Sequence, residues 1–162
     1  MPDAPEATDT TPAADAAPAS QLDPKVWRAL GHGHTIDITT TGRRTGEPRR
    51  VEIVFHNFAG RLYISGTPNV QRERAWLLNL RADPNLTFHL KQLAQADLHA
   101  TAREITDDQE RREVLEKVAR VWKRDPEPML RWSPLIEVVV DGYGVADPAY
   151  KAPELGEAAE PA

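Results

Sequence analysis

The sequence predicts a mainly-β, α+β domain: a small barrel of six strands with helices packed against it. Three observations carry that expectation. Six short stretches alternate, or run apolar, in the manner of strands; only three stretches repeat at helical spacing; and glycine, proline and aspartate mark turns between them at short intervals. With 162 residues, 40% of them apolar and 28% charged, the chain has room for one domain with a real core and none for a second.

Order is expected to begin at Asp23-Pro24, where aspartate caps a helix and proline suits its first turn; Val26, Trp27, Ala29 and Leu30 follow, and Gly31 stops it. His34 to Thr41 is rich in Ile and Thr, and Arg49 to Phe58 alternates through Val51, Ile53 and Phe55, so both read as strands joined by a glycine-bearing loop. Ala59-Gly60 turns the chain into a third strand, Arg61 to Ser65, in which Leu62 and Ile64 alternate with Arg61, Tyr63 and Ser65. Between Gln71 and Ala82, Trp76, Leu77 and Leu80 recur at helical spacing. Asp83-Pro84 ends that helix, because the residue before proline avoids the helical region. Leu86 to Leu90 and Asp97 to Ile105 read as a further strand pair. Thr106-Asp107-Asp108-Gln109 has the form of a capping box, opening a helix with Val114, Leu115, Val118, Val121 and Trp122 on one face. Trp122, Trp132 and the proline-broken run Asp125-Pro126-Glu127-Pro128-Met129-Leu130 are expected to be irregular, either a lid over a pocket or a plain connection. The last strand, Leu135 to Val140, is nearly continuous in apolar residues.

Charge is unevenly distributed along the chain. Residues 1–23 hold five acids, four prolines and no Lys or Arg, and the last eleven residues add Glu154, Glu157 and Glu160. Without those eight acids, 17 remain against 20 Lys and Arg, so residues 24–151 carry +3 although the whole chain carries −5. The composition of 1–23 and 148–162 is that of disordered acidic tails, leaving 24–147 as the folded domain. The sequence shows neither the charged flank and apolar run of a secretory leader nor an apolar stretch of roughly 18 residues, so the expectation is a cytoplasmic protein without an integral membrane segment. The absence of cysteine removes disulfides, thiolate nucleophiles, iron-sulfur clusters and cysteine zinc sites. His32 and His34 share one side of an extended segment but lack an acid at a recognisable spacing, and no metal site is expected. His56, His89 and His99 lie in predicted strands, where a lone histidine is more often structural, and residue order alone supports no Ser/His/Asp arrangement.

The densest chemical signal is Thr41-Gly42-Arg43-Arg44-Thr45-Gly46-Glu47-Pro48-Arg49-Arg50, which sets four guanidinium groups, two hydroxyls and two glycines between paired strands. Arginine forks match phosphate and carboxylate, and glycines let backbone N–H groups approach an anion. No Lys-Ser or Lys-Thr follows Gly46, which excludes the common nucleotide loop. A solvated hairpin with ordinary surface arginines is the bland alternative. On the following strand Arg49 shares a face with Val51, Ile53 and Phe55, whereas Arg50 lies with Glu52, Val54 and His56. Arg49 at the rim of an apolar floor suits an anionic cofactor with an aromatic head, and a snorkelling core-edge arginine gives the same pattern. Trp76 with Asn79 would wall a planar ligand and bond its edge, although core packing also explains the indole. Nucleic acid is not an expected partner, since the chain is acidic overall and has no basic strand interleaved with aromatics.

Thr39-Thr40-Thr41-Gly42-Arg43-Arg44-Thr45-Gly46-Glu47-Pro48-Arg49, then Gly60-Arg61, then Ala75-Trp76-Leu77-Leu78-Asn79-Leu80-Arg81-Ala82-Asp83-Pro84 together resemble the deazaflavin-dependent nitroreductase family, whose members are also described as quinone reductases. The resemblance spans Ile36 to Glu137 and implies a six-stranded FMN-binding split barrel, commonly dimeric in its superfamily, that binds reduced coenzyme F(420). It implies Arg43, Arg44 and Arg49, with Thr45 and Gly46, for the cofactor's anionic phosphodiester and glutamate tail, and Val51 and Ile53 on the strand beside it. Ser65, Gly66 and Thr67 would meet the ring edge, and Ala75, Trp76 and Asn79 the ring wall; no catalytic acid or base is nominated. The implied reaction is hydride transfer to a small-molecule electron acceptor: a quinone, nitro compound or activated alkene. The chain departs from the family pattern at Glu52-Ile53, in place of Pro-Leu, and at Thr67-Pro68-Asn69-Val70, in place of a lysine- and glycine-bearing run. The family's tyrosine-bearing substrate segment is not recognisable around Val121 to Trp132, so nitroimidazole activity is not carried over. An FMN-dependent reductase of the same fold, and a non-catalytic carrier of flavin, haem or lipid, are the alternatives.

Overall fold

The computed structural model describes residues 22–143. The expected acidic tail 148–162, and all but the last two residues of the expected tail 1–23, lie outside the described residues. Helix α1 spans Pro24–Leu30; Asp23 caps it by accepting from the Lys25 N–H at 2.7 Å, and it buries Val26, Ala29 and Leu30. Strands β1 (Thr35–Thr41), β2 (Pro48–Phe58) and β3 (Arg61–Ser65) form a meander, followed by α2 (Ala75–Ala82), β4 (Asn85–Leu90) and β5 (Ala96–Glu104). Helices α3 (Asp108–Trp122) and α4 (Pro126–Trp132) lead into β6 (Leu135–Val140). All pairings are antiparallel, and the order β1-β2-β3-β6-β5-β4 closes on itself through β4 and β1. Closure removes exposed sheet edges and fixes register, with Ile36 opposite Ile53 and Thr40 opposite Arg49. Among the described residues no helix is long and apolar enough to cross a membrane.

Two separate cores hold this barrel together. Inside it, Ile36, Ile38, Phe55, Ile64, Phe88, Ile136 and Val138 pack with Leu30 of α1 and with Trp76, Leu77 and Leu80 of α2. Outside it, Phe58, Tyr63, Ile105 and Leu135 are covered by Val114, Leu115, Val118 and Ala119 of α3 and by Met129 of α4. β6 reads as a continuous apolar run because both its faces are covered. Its one charged residue, Glu137, is 3% exposed and takes hydrogen bonds from Arg61 (2.7 and 2.9 Å) and Arg103 (2.8 Å). Burial alone would raise the Glu137 carboxyl, but the bonds from the two arginines outweigh it and hold the group below its ordinary value.

Three elements depart from the sequence expectation. α2 begins at Ala75 rather than Gln71, because Asn69 accepts from the N–H groups of Gln71 and Arg72 and ties that stretch into a turn. α3 is capped by Asp107, whose carboxylate accepts from the Glu110 N–H at 2.9 Å, and not by Thr106. The segment expected to be irregular forms α4. Asp125 caps it, Pro126 occupies its first turn, and the Arg111 guanidinium donates to the carbonyls of Leu130 and Ser133 at 3.0 Å, satisfying its C-terminal end. α4 therefore closes the outer core around Met129.

His56 stands in the outer face of β2, 4% exposed, and burial pushes its imidazole down to about 4. In the unfolded chain the ring titrates near 6.5, so protonation favours the unfolded state as pH falls from 6.5 towards 4, a cost of roughly 2 to 3 kcal/mol. Urea unfolding at pH 7 and pH 4.5 should show the wild type losing that much more stability than His56→Phe; parallel losses would mean the ring is not held neutral.

Candidate functional site

The loop between β1 and β2 is closed by its own backbone. Gly42 N–H donates to the Glu47 carbonyl and Gly46 N–H to the Gly42 carbonyl, both at 2.8 Å, and Thr45 Oγ1 accepts from the Glu47 N–H at 3.2 Å. Gly46 has a φ of +77°, the left-handed conformation that side chains disfavour. The loop is tied to α2 by one amide. Asn79 is 3% exposed; its Oδ1 accepts from both the backbone N–H and Nη1 of Arg43 at 3.1 Å, and its Nδ2 donates to Thr40 Oγ1 at 3.1 Å. A buried amide with both ends engaged fixes the loop against the helix more rigidly than surface contacts would.

Between loop and helix runs a groove of about 550 Å³. The loop side is formed by Thr40, Gly42, Arg43, Arg44 and Thr45, the β2 side by Arg49, Arg50 and Val51, and the helix side by Arg74, Ala75, Trp76 and Asn79. Five of these residues are arginines and none is an acid. Arg44 makes no hydrogen bond or ion pair among the described residues, and Arg49 lies only loosely beside Glu47 at 3.9 Å, with both side chains exposed. Arg50 is committed elsewhere, its Nε donating to Asp37 at 2.9 Å, while Lys91 holds the other oxygen of the same carboxylate. The hydrogen bond from Lys91 leads in holding the Asp37 carboxyl below its ordinary value, with Arg50 adding to it. Arg74 donates to the Thr67 carbonyl at 2.7 Å. It precedes α2, whose first turn has no side-chain cap, so the positive end of the helix adds to the arginines. At the apolar end Val51 is 38% exposed beside Ala75 and Trp76.

The structure thus gathers Arg43, Arg44, Thr45, Arg49, Val51, Ala75, Trp76 and Asn79 at one groove, and sets the other candidates apart from it. Gly46 shapes the turn, and Ile53 faces the inner core. Ser65 is buried, with its hydroxyl donating to the Pro134 carbonyl at 2.7 Å. Gly66 and Thr67 meet Arg74: a methyl group at Gly66 would lie 2.8 Å from its Nη2, so the glycine leaves room for that guanidinium. Asn79 borders the groove with its amide already engaged by the loop, which makes it a positioning residue. Arg74 and Thr40 were not singled out in the sequence; Arg74 joins the groove only because the turn at Asn69 delays the start of α2.

The histidines lie elsewhere. His34 has its ring nitrogens 2.9 Å from the Ala29 carbonyl and 3.2 Å from that of Thr35, and among the described residues no three His, Asp or Glu side chains gather to hold a metal. His89 lies between Thr39 Oγ1 and Asp97 Oδ1, 2.7 Å from each, a hydroxyl-imidazole-carboxylate chain that residue order did not reveal. Thr39 is in ladder register with Arg50 on one side and Thr87 on the other. That chain shares no residue with the groove.

Comparison with known proteins bears on the fold and the family. A candidate 5-nitroimidazole antibiotic resistance protein from Bacteroides thetaiotaomicron VPI-5482 superposes with a TM-score of 0.54 at 19% identity, covering 74% of this chain and 80% of its own. A structure described as an F(420)-H(2) dependent reductase, FDR-A, gives 0.51 at 20% identity, covering 64% and 92%. A third, described as a domain-swapped dimer, gives 0.50 at 20% identity, covering 64% and 78%. At these identities the solved structures establish the shared barrel fold. The family itself is established by sequence: the model of the F(420)H(2)-dependent quinone reductase family matches residues 17–142, and the chain belongs to that family.

Proposed function

We propose that the chain, as an F(420)H(2)-dependent reductase, passes a hydride to quinones and related electron-poor acceptors such as nitro compounds and activated alkenes. The groove between the β1–β2 loop and α2 holds the coenzyme. The observation that carries this reading is the lining itself: five arginines without an acid lead to an exposed valine and an indole. A tail with a phosphodiester and several carboxylates meets charge-assisted donors along that path. A single FMN phosphate would leave most of them unused, which favours the deazaflavin.

Bound there, the reduced deazaflavin supplies the hydride. Arg43, Arg44 and Arg49, with Thr45, hold the tail, and Arg74 adds positive charge at the head of α2. Trp76, Ala75 and Val51 cover the ring and exclude water from it. Asn79 keeps Arg43 in place. The groove has no His, Asp, Glu or Lys in its lining, so it contributes hydrogen-bond donors and positive charge and no side chain that exchanges a proton near neutral pH. A homodimer is the expected assembly, supported by the relative described as one.

Steady-state kinetics with reduced coenzyme F(420) and a soluble quinone test this reading. Arg49→Ala should raise KM for the coenzyme roughly 10- to 100-fold with kcat changed by less than about threefold, the pattern of a lost tether. An unchanged KM would remove the loop from the site. Asn79→Asp retains an acceptor for Arg43, loses the donor to Thr40 and adds negative charge beneath the groove, so it should weaken coenzyme binding while the fold persists. Tighter binding would contradict the anion assignment.

A further inference from the structure

The arginine groove carries positive charge that its own walls do not neutralise. No acid lines it, and Arg44 has no hydrogen bond or ion pair among the described residues. The charge also runs on past the groove. A neighbouring cavity of about 450 Å³ shares Arg43, Arg74 and Ala75 with it and adds Arg72, whose guanidinium likewise has no partner among the described residues. The one acid in that second lining, Glu73, is already held by Arg81 at 2.6 and 2.9 Å. Groove and cavity together form a track of arginines, longer than one phosphate needs, that suits an anion with charges spaced along a chain.

The chain itself contains an anion of that form. Residues 1–21 hold Asp3, Glu6, Asp9 and Asp15, no Lys or Arg, and no aromatic, Val, Ile or Leu side chain. Such a segment meets guanidinium groups but has nothing to fill the apolar end of the groove at Val51 and Trp76. It joins the described residues at Leu22, which packs against the inner core. Reach is not limiting, since a segment of this length spans up to about 70 Å when extended, against roughly 35 Å for the width of a domain of this size. Residues 144–162 match the track less well, because Lys151 falls among their acids Asp147, Glu154, Glu157 and Glu160.

We propose that the acidic segment 1–21 of the same chain docks along Arg43, Arg44, Arg49 and Arg72 and competes there with anionic ligands. The inference rests on reading the groove as an anion site, and it deepens that reading: the segment opposes the coenzyme's anionic tail and leaves the ring end open. A tethered contact works at an effective concentration on the order of millimolar, so one of millimolar strength is formed about half the time. The competition therefore weakens the binding of an anion about two- to fivefold at low salt and fades as salt screens the charges.

The test uses the full chain and two probes that do not involve the coenzyme. Because the sequence has no cysteine, Thr10→Cys places a single nitroxide label in the segment. At low salt it should broaden the backbone amide resonances of Gly42, Gly46 and Arg74 in ¹⁵N-labelled protein. A variant that also carries Asp3→Asn, Glu6→Gln, Asp9→Asn and Asp15→Asn should lose that broadening. Calorimetry with inorganic tripolyphosphate should show the same four substitutions, without the label, tightening its binding about two- to fivefold at low salt, with the difference gone at high salt. Replacing Glu154, Glu157 and Glu160 by Gln should change neither readout. No broadening, broadening that survives neutralisation, or broadening passed from a labelled chain to a separate ¹⁵N chain in a mixture would each overturn the assignment. Equal tripolyphosphate affinity in wild type and neutralised variant, or no binding of tripolyphosphate, would do the same. A coenzyme that fails to bind a groove where segment and tripolyphosphate compete would refute the proposed function and leave this inference standing.

Discussion

One buried amide organises the site. Asn79 accepts twice from Arg43 and donates to Thr40, joining the end of a strand, the following loop and a helix at a single point. Without that junction the β1–β2 loop would be a surface hairpin with no fixed position relative to α2. With it, the loop and the uncapped start of α2 face each other across a fixed gap, and the positive charge of both converges on the same space. Among the described residues the arrangement is electrostatically unbalanced. Arg61, Arg81 and Arg103 have carboxylate partners, and so does Arg50, but among the described residues Arg44 has none and Arg49 has one only at 3.9 Å. Charge around a concave surface that no described carboxylate neutralises is charge available to a ligand.

The barrel supplies the rigidity that such an arrangement requires. Closure of the sheet fixes Thr40 opposite Arg49, so the two sides of the loop cannot slide relative to each other without breaking the whole ladder. The cores on the two faces of the sheet then divide the work. The inner one anchors α2 through Leu77 and Leu80, and so anchors Asn79; the outer one anchors α3 and α4, with Arg111 bridging them. The Glu137 ion pairs belong to this outer layer. They keep a charge on an otherwise apolar strand at the cost of committing two arginines that therefore play no part at the groove.

Much of this was legible in the sequence. Alternation in β1, β2 and β3 gave the inward and outward residues, and the density of arginine and glycine around Gly42 marked the loop that lines the groove. What the sequence did not show depends on contacts between distant segments. The proline-rich stretch 125–130 reads as irregular because its helix is completed by Arg111, a residue some twenty positions away whose partners are backbone carbonyls. Arg74 enters the groove because Asn69 delays α2, and Ser65 leaves it because its hydroxyl reaches Pro134. The Asn79 amide was expected to meet a ligand; its engagement by Arg43, 36 positions earlier, is a tertiary fact with no local signature.

The central claim is that the guanidinium groups of Arg43, Arg44 and Arg49 hold the anionic tail of the coenzyme while the apolar end of the groove holds its ring. Calorimetric titration of the full chain at rising salt concentration, with intact coenzyme F(420) and with the tail-less deazaflavin ring, tests it most directly. Binding of the intact coenzyme should weaken steeply as salt screens the arginines, and binding of the bare ring should change little. Two ligands with the same shallow salt dependence would contradict the claim.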